Sequence, residues 1–458
     1  MKNSDGKRQG REHCPALITD LYELTMAAAY FENNFSADAS FELFVRSLPP
    51  ERGFLLSAGL EQALDFLEDV HFEKQDIEYL RQQPVFHHIS DDFFEYLKDF
   101  RFTGEVWAVA ESTPVFSHEP LLRVTAPIIE AQIVETFLLS TLTYQTMIAS
   151  KAARVVGAAD GREVVEFGSR RAHGPGAGVL AARAAYIAGC VGTSNVEAGK
   201  RFGIPLFGTM AHSFVMAYGK EEEAFRQFQR LFPEHSVLLV DTYDSLTAID
   251  KMIRNGLRPK GVRIDSGDLL EVSKRVRQKL DHAGLQQTHI FASGDLDEFT
   301  IADLVAQGAP IDSFGVGTAL ATSKDAPSLG GVYKLVNLES GKRVTYTAKF
   351  SEAKMTYPGL KQVFRFHGED GKYREDIIAR SDESYPEAVP LLLVVMREGK
   401  RIQPSPPIDD LRRCAREELA KLPGECHRLS RPGSYPVRFS KELEDLQATV
   451  REQTLNAI

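Results

Sequence analysis

Short apolar runs recur through the middle of the chain, each closed by glycine or a small polar cluster. They are Val164-Val-Glu-Phe167, Pro205-Leu-Phe207, Val237-Leu-Leu-Val-Asp241, Gly261-Val-Arg-Ile-Asp265, His289-Ile-Phe-Ala-Ser293 and Ser313-Phe-Gly-Val-Gly317. Runs of this length, bounded by turn residues, read as buried strands. Between them lie helical stretches: the alanine-rich 176–188, then 221–232, a segment ending near 255, 269–283, and one ending near Gly308. The unit repeats about every 25 residues, and strands alternating with helices at that spacing specify a parallel sheet. Five or six consecutive units favour a (β/α) barrel of irregular form.

The flanks have a different pattern. Thr19-Asp20-Leu-Tyr22-Glu23 begins like a capped helix, residues 39–47 alternate like a strand, and 55–99 is mostly helical. Residues 101–126 read as short strands, and an apolar helix covers about 127–153. After Pro327 the rhythm stops, and 333–400 reads as a β meander before a charged, helical end. The expected class is α/β, an irregular barrel with a second, discontinuous α+β domain. The expected divisions are a disordered tail (1–14), an N-terminal α+β part (15–126), the barrel (127–330), and a meander with C-terminal helices completing the second domain (331–458).

Composition narrows the function. The chain has 458 residues, 43% hydrophobic and 26% charged, with a net charge of -10. That is the make-up of an ordinary globular protein, long enough for two domains. The acidic balance speaks against nucleic acid, whose phosphates need a basic face. Small anionic substrates are still allowed, because they answer to local arginines. The four cysteines are scattered without metal-ligand spacing, and read as reduced thiols of a cytoplasmic protein. The start of the chain has no secretory pattern, and 126–153 carries Glu130, Glu135 and Lys151, too polar for a membrane span.

Each strand of the rhythm ends in polar residues: Gly168-Ser-Arg170-Arg171, Gly208-Thr209-Met-Ala-His212, Asp241-Thr-Tyr-Asp244, Asp265-Ser-Gly-Asp268, Ser293-Gly294-Asp295 and Gly317-Thr318. In a barrel these converge on one rim, where such folds place their chemistry. Arg170, Arg171 and Arg263 can hold phosphate or carboxylate. Gly294 and the 315–318 turn can offer backbone N–H groups to an anion. Asp241, Asp265 and Asp295 can bind sugar hydroxyls, or Mg²⁺ together with substrate phosphates. His212 is the group best suited to accept a proton or a phosphoryl group. Each has a plainer reading. Asp241, Asp244 and Asp295 could be helix caps, the arginines solvated charges, and Phe167 a core residue.

Several stretches together resemble the nicotinate phosphoribosyltransferases: Thr19-Asp-Leu-Tyr-Glu-Leu-Thr-Met26, Phe167-Gly-Ser-Arg-Arg-Ala-His-Gly-Pro175, Thr193-Ser-Asn-Val-Glu-Ala-Gly199, Gly208-Thr-Met-Ala-His-Ser213, Val262-Arg-Ile-Asp-Ser-Gly-Asp268, Phe314-Gly-Val-Gly-Thr318 and Pro327-Ser-Leu-Gly-Gly-Val-Tyr-Lys-Leu335. The resemblance implies a type II phosphoribosyltransferase fold. It also implies condensation of nicotinate with 5-phosphoribosyl 1-pyrophosphate, coupled to ATP hydrolysis, in NAD biosynthesis. The implied cofactor is Mg²⁺, held through substrate, with Asp295 as the candidate protein ligand. The implied assembly is a homodimer with shared sites. His212 would be the phosphorylated histidine and Asp241 would orient its ring. Phe167, with Tyr22 of the second copy, would sandwich the pyridine, and Arg170, Ser194 and Thr209 would lie near its carboxylate. Arg263, Asp265, Gly294, Gly317, Thr318 and Thr356 would hold the phosphoribosyl group.

Other readings compete. Nicotinamide-using relatives tend to carry an acid where this chain has Ser194; a carboxylate there would repel nicotinate, so serine favours the acid. A barrel aldolase or isomerase of phosphosugars would want a lysine at a strand end, and none is present. The acids of Val237-Leu-Leu-Val-Asp241-Thr-Tyr-Asp244 are separated, unlike the adjacent pair of the open-sheet phosphoribosyltransferases. A non-catalytic ligand sensor would bind without forming product.

Overall fold

Six parallel strands carry the middle of the chain: β1 (Glu163–Glu166), β2 (Gly192–Thr193), β3 (Val237–Leu239), β4 (Gly261–Ile264), β5 (His289–Ala292) and β6 (Ser313–Val316). Their order in the sheet is β2-β1-β6-β5-β4-β3. Every neighbouring pair is parallel, including the last strand with the first. That β6–β1 pairing is the order of a barrel and brings all the strand ends to one edge. The strands are buried along nearly their whole length, as expected when helices cover one face and the barrel interior the other.

The computed structural model describes residues 16–351 and 354–456; the tail expected over 1–14 lies outside them. The strand expected over 205–207 is a single bridge. Leu206 pairs with Thr193, Thr193 donates to Pro205 O (3.1 Å), and Phe207 donates to Thr193 O (2.9 Å). Proline has no N–H to extend the ladder, and no bridge among the described residues joins this segment to β3. The sheet is therefore an irregular barrel, open between residue 206 and β3. Helices return the chain between strands. Three of them start from aspartates that accept an amide hydrogen: Asp244 from Thr247 (2.8 Å), Asp268 from Glu271 (3.1 Å) and Asp297 from Thr300 (2.8 Å).

This sheet belongs to a compact unit of Met147–Pro327 with Ile408–Arg416. The break falls inside the helix Glu135–Ala158, whereas the sequence reading began the barrel at 127. The second unit comprises the described residues up to Thr146, those between Ser328 and Pro407, and those from Glu417 onward. Its main sheet has seven antiparallel strands in the order Arg343–Tyr346, Gly331–Ser340, Asp38–Val45, Pro120–Pro127, Glu105–Val109, Leu392–Arg397 and Lys400–Arg401. The meander beyond residue 360 divides: Lys361–His367 and Tyr373–Arg380 join a separate four-stranded sheet with Val389–Pro390 and Val437–Phe439. No helix among the described residues is long and apolar enough to cross a membrane.

Within the barrel unit a buried ion network joins two elements. Lys151 Nζ bonds Glu298, whose Oε1 also accepts from Arg154 Nε (3.0 Å), and Lys151 reaches Asp325 Oδ1 (2.7 Å). Lys151 and Glu298 are excluded from solvent. Removing one member of such a network strands the others without compensation, at a cost of about 3–5 kcal/mol. Glu298→Ala is therefore expected to lower unfolding stability by about that amount in urea titration; a loss under about 1 kcal/mol would show that the network contributes little.

Candidate active site

The carboxyl edge of the parallel sheet carries one hydrogen-bonded network. Arg263, inside β4, donates from Nε to Ser293 Oγ (2.7 Å), from Nη1 to Thr209 Oγ1 (3.0 Å) and from Nη2 to Asp265 Oδ1 (2.6 Å). The Ser293 hydroxyl in turn donates to Asp265 Oδ1. Asp241 Oδ2, after β3, accepts from Asp265 N (3.0 Å) and Ser266 Oγ (2.6 Å). Four loops are thus locked by charged and hydroxyl groups. The β1 loop joins them through its aromatic ring: the Arg263 guanidinium lies 5.7 Å from the Phe167 centroid, and Phe167 packs at 5.5 Å against Phe291. At these distances the guanidinium gains from the ring's negative face.

His212 opens the helix His212–Tyr218 at this edge. Its Nδ1 lies 3.2 Å from Thr242 Oγ1, and its Nε2 lies 3.8 Å from Asp265 Oδ2. The expected contact between His212 and Asp241 is absent. Asp241 Oδ2 is taken up by the backbone and Ser266, and Oδ1 is buried without a partner among the described residues. The next residue, Thr242, holds the ring instead. Burial alone would raise the Asp265 pKa, but the Ser293 hydroxyl and the Arg263 guanidinium outweigh it and hold the carboxyl below its ordinary value.

Two glycines expected to cradle phosphate are needed for space as well. Gly294 has φ +93°, and a Cβ there would lie 2.0 Å from Asp265 O. A Cβ on Gly317 would approach Phe167 O to 3.2 Å, and Gly317 precedes the short helix Thr318–Ala321. Thr318 begins that helix at the end of β6. Asp295 is exposed with a left-handed φ of 42° and caps nothing; the cap is Asp297. Arg170 and Ser194 are exposed on the β1 and β2 loops, and the Arg170 side chain makes no ion pair or hydrogen bond among the described residues. The structure thus gathers Phe167, Thr209, His212, Asp241, Arg263 and Asp265, and leaves Arg170, Ser194 and Asp295 outside the network.

Tyr22 and Thr356 belong to the other unit, where they line one open groove of about 480 Å³ with Glu135, Lys334 and Lys349. Burial, then Glu135, raises the Tyr22 phenol above its ordinary value, and burial lowers the Lys334 ammonium. Among the described residues no group of three or more His, Cys, Asp and Glu side chains could hold a metal by itself.

The sequence reading missed four participants: Thr242, Ser266, Ser293 and Glu166. The first three follow or neighbour the aspartates singled out, and a polar residue at a strand end was their only signal. Glu166, the last residue of β1, is fully buried. It accepts from Gly168 N and from Thr193 Oγ1 (2.5 Å). Burial pushes its carboxyl up, with the Thr193 and Gly168 hydrogen bonds opposing.

Comparison with known proteins agrees with this architecture. The nicotinate phosphoribosyltransferase N-terminal domain matches residues 17–143, its C-terminal domain matches 385–447, and the quinolinate phosphoribosyl transferase C-terminal domain matches 148–326. Nicotinate phosphoribosyltransferase pncB2 of Mycobacterium tuberculosis is 48% identical over 449 residues, covering 96% of this chain and 95% of that protein. The nicotinate phosphoribosyltransferase of Bacillus subtilis is 40% identical, covering 93% of each. The crystal structure of human nicotinic acid phosphoribosyltransferase superposes with a TM-score of 0.81 at 29% identity, covering 94% of this chain and 99% of that one. The nicotinate-nucleotide pyrophosphorylase of Pyrococcus furiosus gives 0.71 at 25% identity, covering 89% and 95%. With a barrel of this order, a site of this composition and likeness along almost its full length, the chain belongs to the nicotinate phosphoribosyltransferase family.

Proposed function

We propose that this protein condenses nicotinate with 5-phosphoribosyl 1-pyrophosphate, giving nicotinate mononucleotide and pyrophosphate. The observation that carries the reading is the network around Arg263, which joins Thr209, Ser293, Asp265 and Asp241 beside the Phe167 ring and His212. It offers a flat apolar surface for a pyridine next to acceptors for sugar hydroxyls and donors for phosphate.

Phe167 stacks on the pyridine, and exposed Arg170, with Ser194 and Thr209, faces its carboxylate. The ring nitrogen has a free lone pair at neutral pH, so no strong base is needed. That pair forms the bond to the anomeric carbon as the bond to pyrophosphate breaks and its electrons leave with the pyrophosphate. Asp265, whose Oδ2 lies partly exposed beside His212, accepts from ribose hydroxyls as the sugar becomes cationic. Gly294, Gly317 and Thr318 hold the 5′-phosphate through backbone N–H groups, and Arg263 adds positive charge. With no cage of metal ligands among the described residues, a Mg²⁺ ion would arrive with the pyrophosphate, and exposed Asp295 would be the carboxylate to hold it. When bound, that ion neutralises the leaving group.

His212 is the proposed site of phosphorylation by ATP. With Nδ1 donating to Thr242, the Nε2 lone pair is free to attack a phosphoryl group. The family resemblance supports a homodimer in which Tyr22 of the second copy reaches the pyridine, and Thr356, in the same groove as Tyr22, is assigned to the phosphoribosyl group. Serine at 194 favours nicotinate over nicotinamide.

Product formation from nicotinate and phosphoribosyl pyrophosphate, with and without ATP, tests this reading. The wild type should form nicotinate mononucleotide, turn over nicotinamide at least tenfold less well, and be stimulated by ATP; His212→Ala should lose the stimulation. No product in the wild type would refute the proposal, and an equal ATP response in both proteins would remove His212 from the coupling.

Asp265 gives a second test. Its folded pKa is lowered, against about 3.9 for an unfolded aspartate. Its ionisation therefore favours the folded state at neutral pH, and that contribution is lost as pH falls through the folded value. The stability difference between wild type and Asp265→Asn should be flat from about pH 6 to 8 and shrink below about pH 4. A difference that grows on acidification would contradict the assigned charge.

A further inference from the structure

Glu166 is an anomaly in the barrel. It is an acid with no exposed surface, and no lysine or arginine pairs with it among the described residues. Burying a carboxylate without a cation costs folding free energy, so its presence calls for a compensating role. Its two oxygens reach two different loops. Oε1 accepts the amide of Gly168, between Phe167 and Arg170, and Oε2 accepts the hydroxyl of Thr193, beside Ser194. Thr193 Oγ1 in turn accepts from Asn195 N (3.0 Å), and Ser194 N donates to the Glu166 carbonyl (3.0 Å).

The backbone alone gives this join little strength. β2 has only two residues, paired as Val165 with Gly192 and Glu166 with Thr193. So short a ladder leaves register weakly specified. A second side-chain tie, Asn195 Nδ2 to Ser169 Oγ (3.0 Å), spans the same two loops. The space is tight: a Cβ on Gly168 would meet Glu166 Oε1 at 2.8 Å and Ala321 Cβ at 2.2 Å.

We infer that Glu166 is a positioning residue that clamps the β1 and β2 loops together, so that Phe167 and Arg170 on one and Ser194 on the other keep the spacing that selects the pyridine acid. The inference rests on the proposed reaction for its substrate, but the clamp itself is independent of it. Glu166 touches no substrate and moves no proton; it acts through the two loops.

Three variants test this. In Glu166→Gln the amide oxygen can accept from Gly168 N while the NH₂ donates to Thr193 Oγ1, so the first tie survives and the second is kept in reversed direction, without the charge. Glu166→Ala removes both ties, and Thr193→Val removes one with little change of shape. Nicotinate KM should rise roughly tenfold or more in Glu166→Ala, by less in Thr193→Val, and under about threefold in Glu166→Gln, the scale of lost buried hydrogen bonds. KM for phosphoribosyl pyrophosphate should stay within about twofold in all three. Amide hydrogen exchange, which needs no turnover, should quicken together over 167–171 and 193–195 in Glu166→Ala and not in Glu166→Gln. Exchange decides the clamp even if Glu166→Ala is unstable, because Thr193→Val should loosen the same two segments. Unchanged exchange in both Thr193→Val and Glu166→Ala would overturn the inference. So would a Glu166→Gln variant as impaired as Glu166→Ala, which would make the charge and not the tie the operative feature. Inactive wild-type enzyme would refute the proposed reaction and leave the exchange result to judge the clamp.

Discussion

The pairing of the last parallel strand with the first is the constraint on which the site depends. Glu166 lies opposite Val316, and Phe167 N donates to Val316 O (2.8 Å). Without that pairing the strands would fall into two separate sheets, β2-β1 and β6-β5-β4-β3, and the β1 and β6 loops would not be neighbours. With it, the loop carrying Phe167 and Arg170 lies beside the one carrying Gly317 and Thr318. Gly315 makes the approach possible, since a Cβ there would fall 2.7 Å from the Phe167 ring. An aromatic residue placed just past a strand end can therefore face the middle of the barrel mouth.

Around that mouth the charges are arranged before any substrate arrives. Arg263 is mostly buried and would be costly there alone, but Ser293, Thr209 and Asp265 satisfy its donors. Asp265 keeps one oxygen in this network and turns the other towards His212. Fixed dipoles of this kind need little reorganisation when charge develops, which is where most electrostatic catalysis originates. The partnerless Asp241 Oδ1 is the exception in an otherwise satisfied network. A buried acceptor without a donor is expensive, and such an atom calls for an explanation, a catalytic role or a bound water or ion among them.

The βα rhythm was legible because buried parallel strands are written as continuous apolar runs, and Val237–Leu239 or Ser313–Val316 can hardly be read otherwise. What escaped was shorter than the pattern. β2, at Gly192–Thr193, is too brief to show a period, and Pro205-Leu206-Phe207 has a strand's composition but only one residue able to bridge. The site was legible by the same rhythm, since a polar residue in phase with a strand end must face the rim. Phase does not say which of two adjacent polar residues points where. Asp241 was given the histidine that Thr242 holds. Glu166 was invisible for a related reason: in sequence it is the polar member of a strand, and only the three-dimensional pairing with β2 shows what its carboxylate accepts. The family resemblance supplied Tyr22 and Thr356, which no local pattern would have joined; they meet in one groove because the strand Gly331–Ser340 lies against Asp38–Val45.

A chain of net charge -10 is an unlikely host for an anionic acid and a polyphosphate if charge is counted over the whole molecule. Counted locally the objection falls. At physiological salt, exposed charges more than about 8 Å apart are largely screened, so the acids on the outer helices contribute little at the rim. There Arg263 is neutralised in part by Asp265, but Arg170 and Arg171 are exposed on the β1 loop with side chains that no acid pairs among the described residues. Two uncommitted guanidiniums on the loop that carries Phe167 form a local positive field whose sign is opposite to that of the protein. Screening by salt does not reach Glu166, which is fully buried; local hydrogen bonds accommodate it instead. Its carboxyl oxygens accept from Gly168 N and Thr193 Oγ1 inside the wall, and Ser194, the residue that reaches the surface, carries no charge.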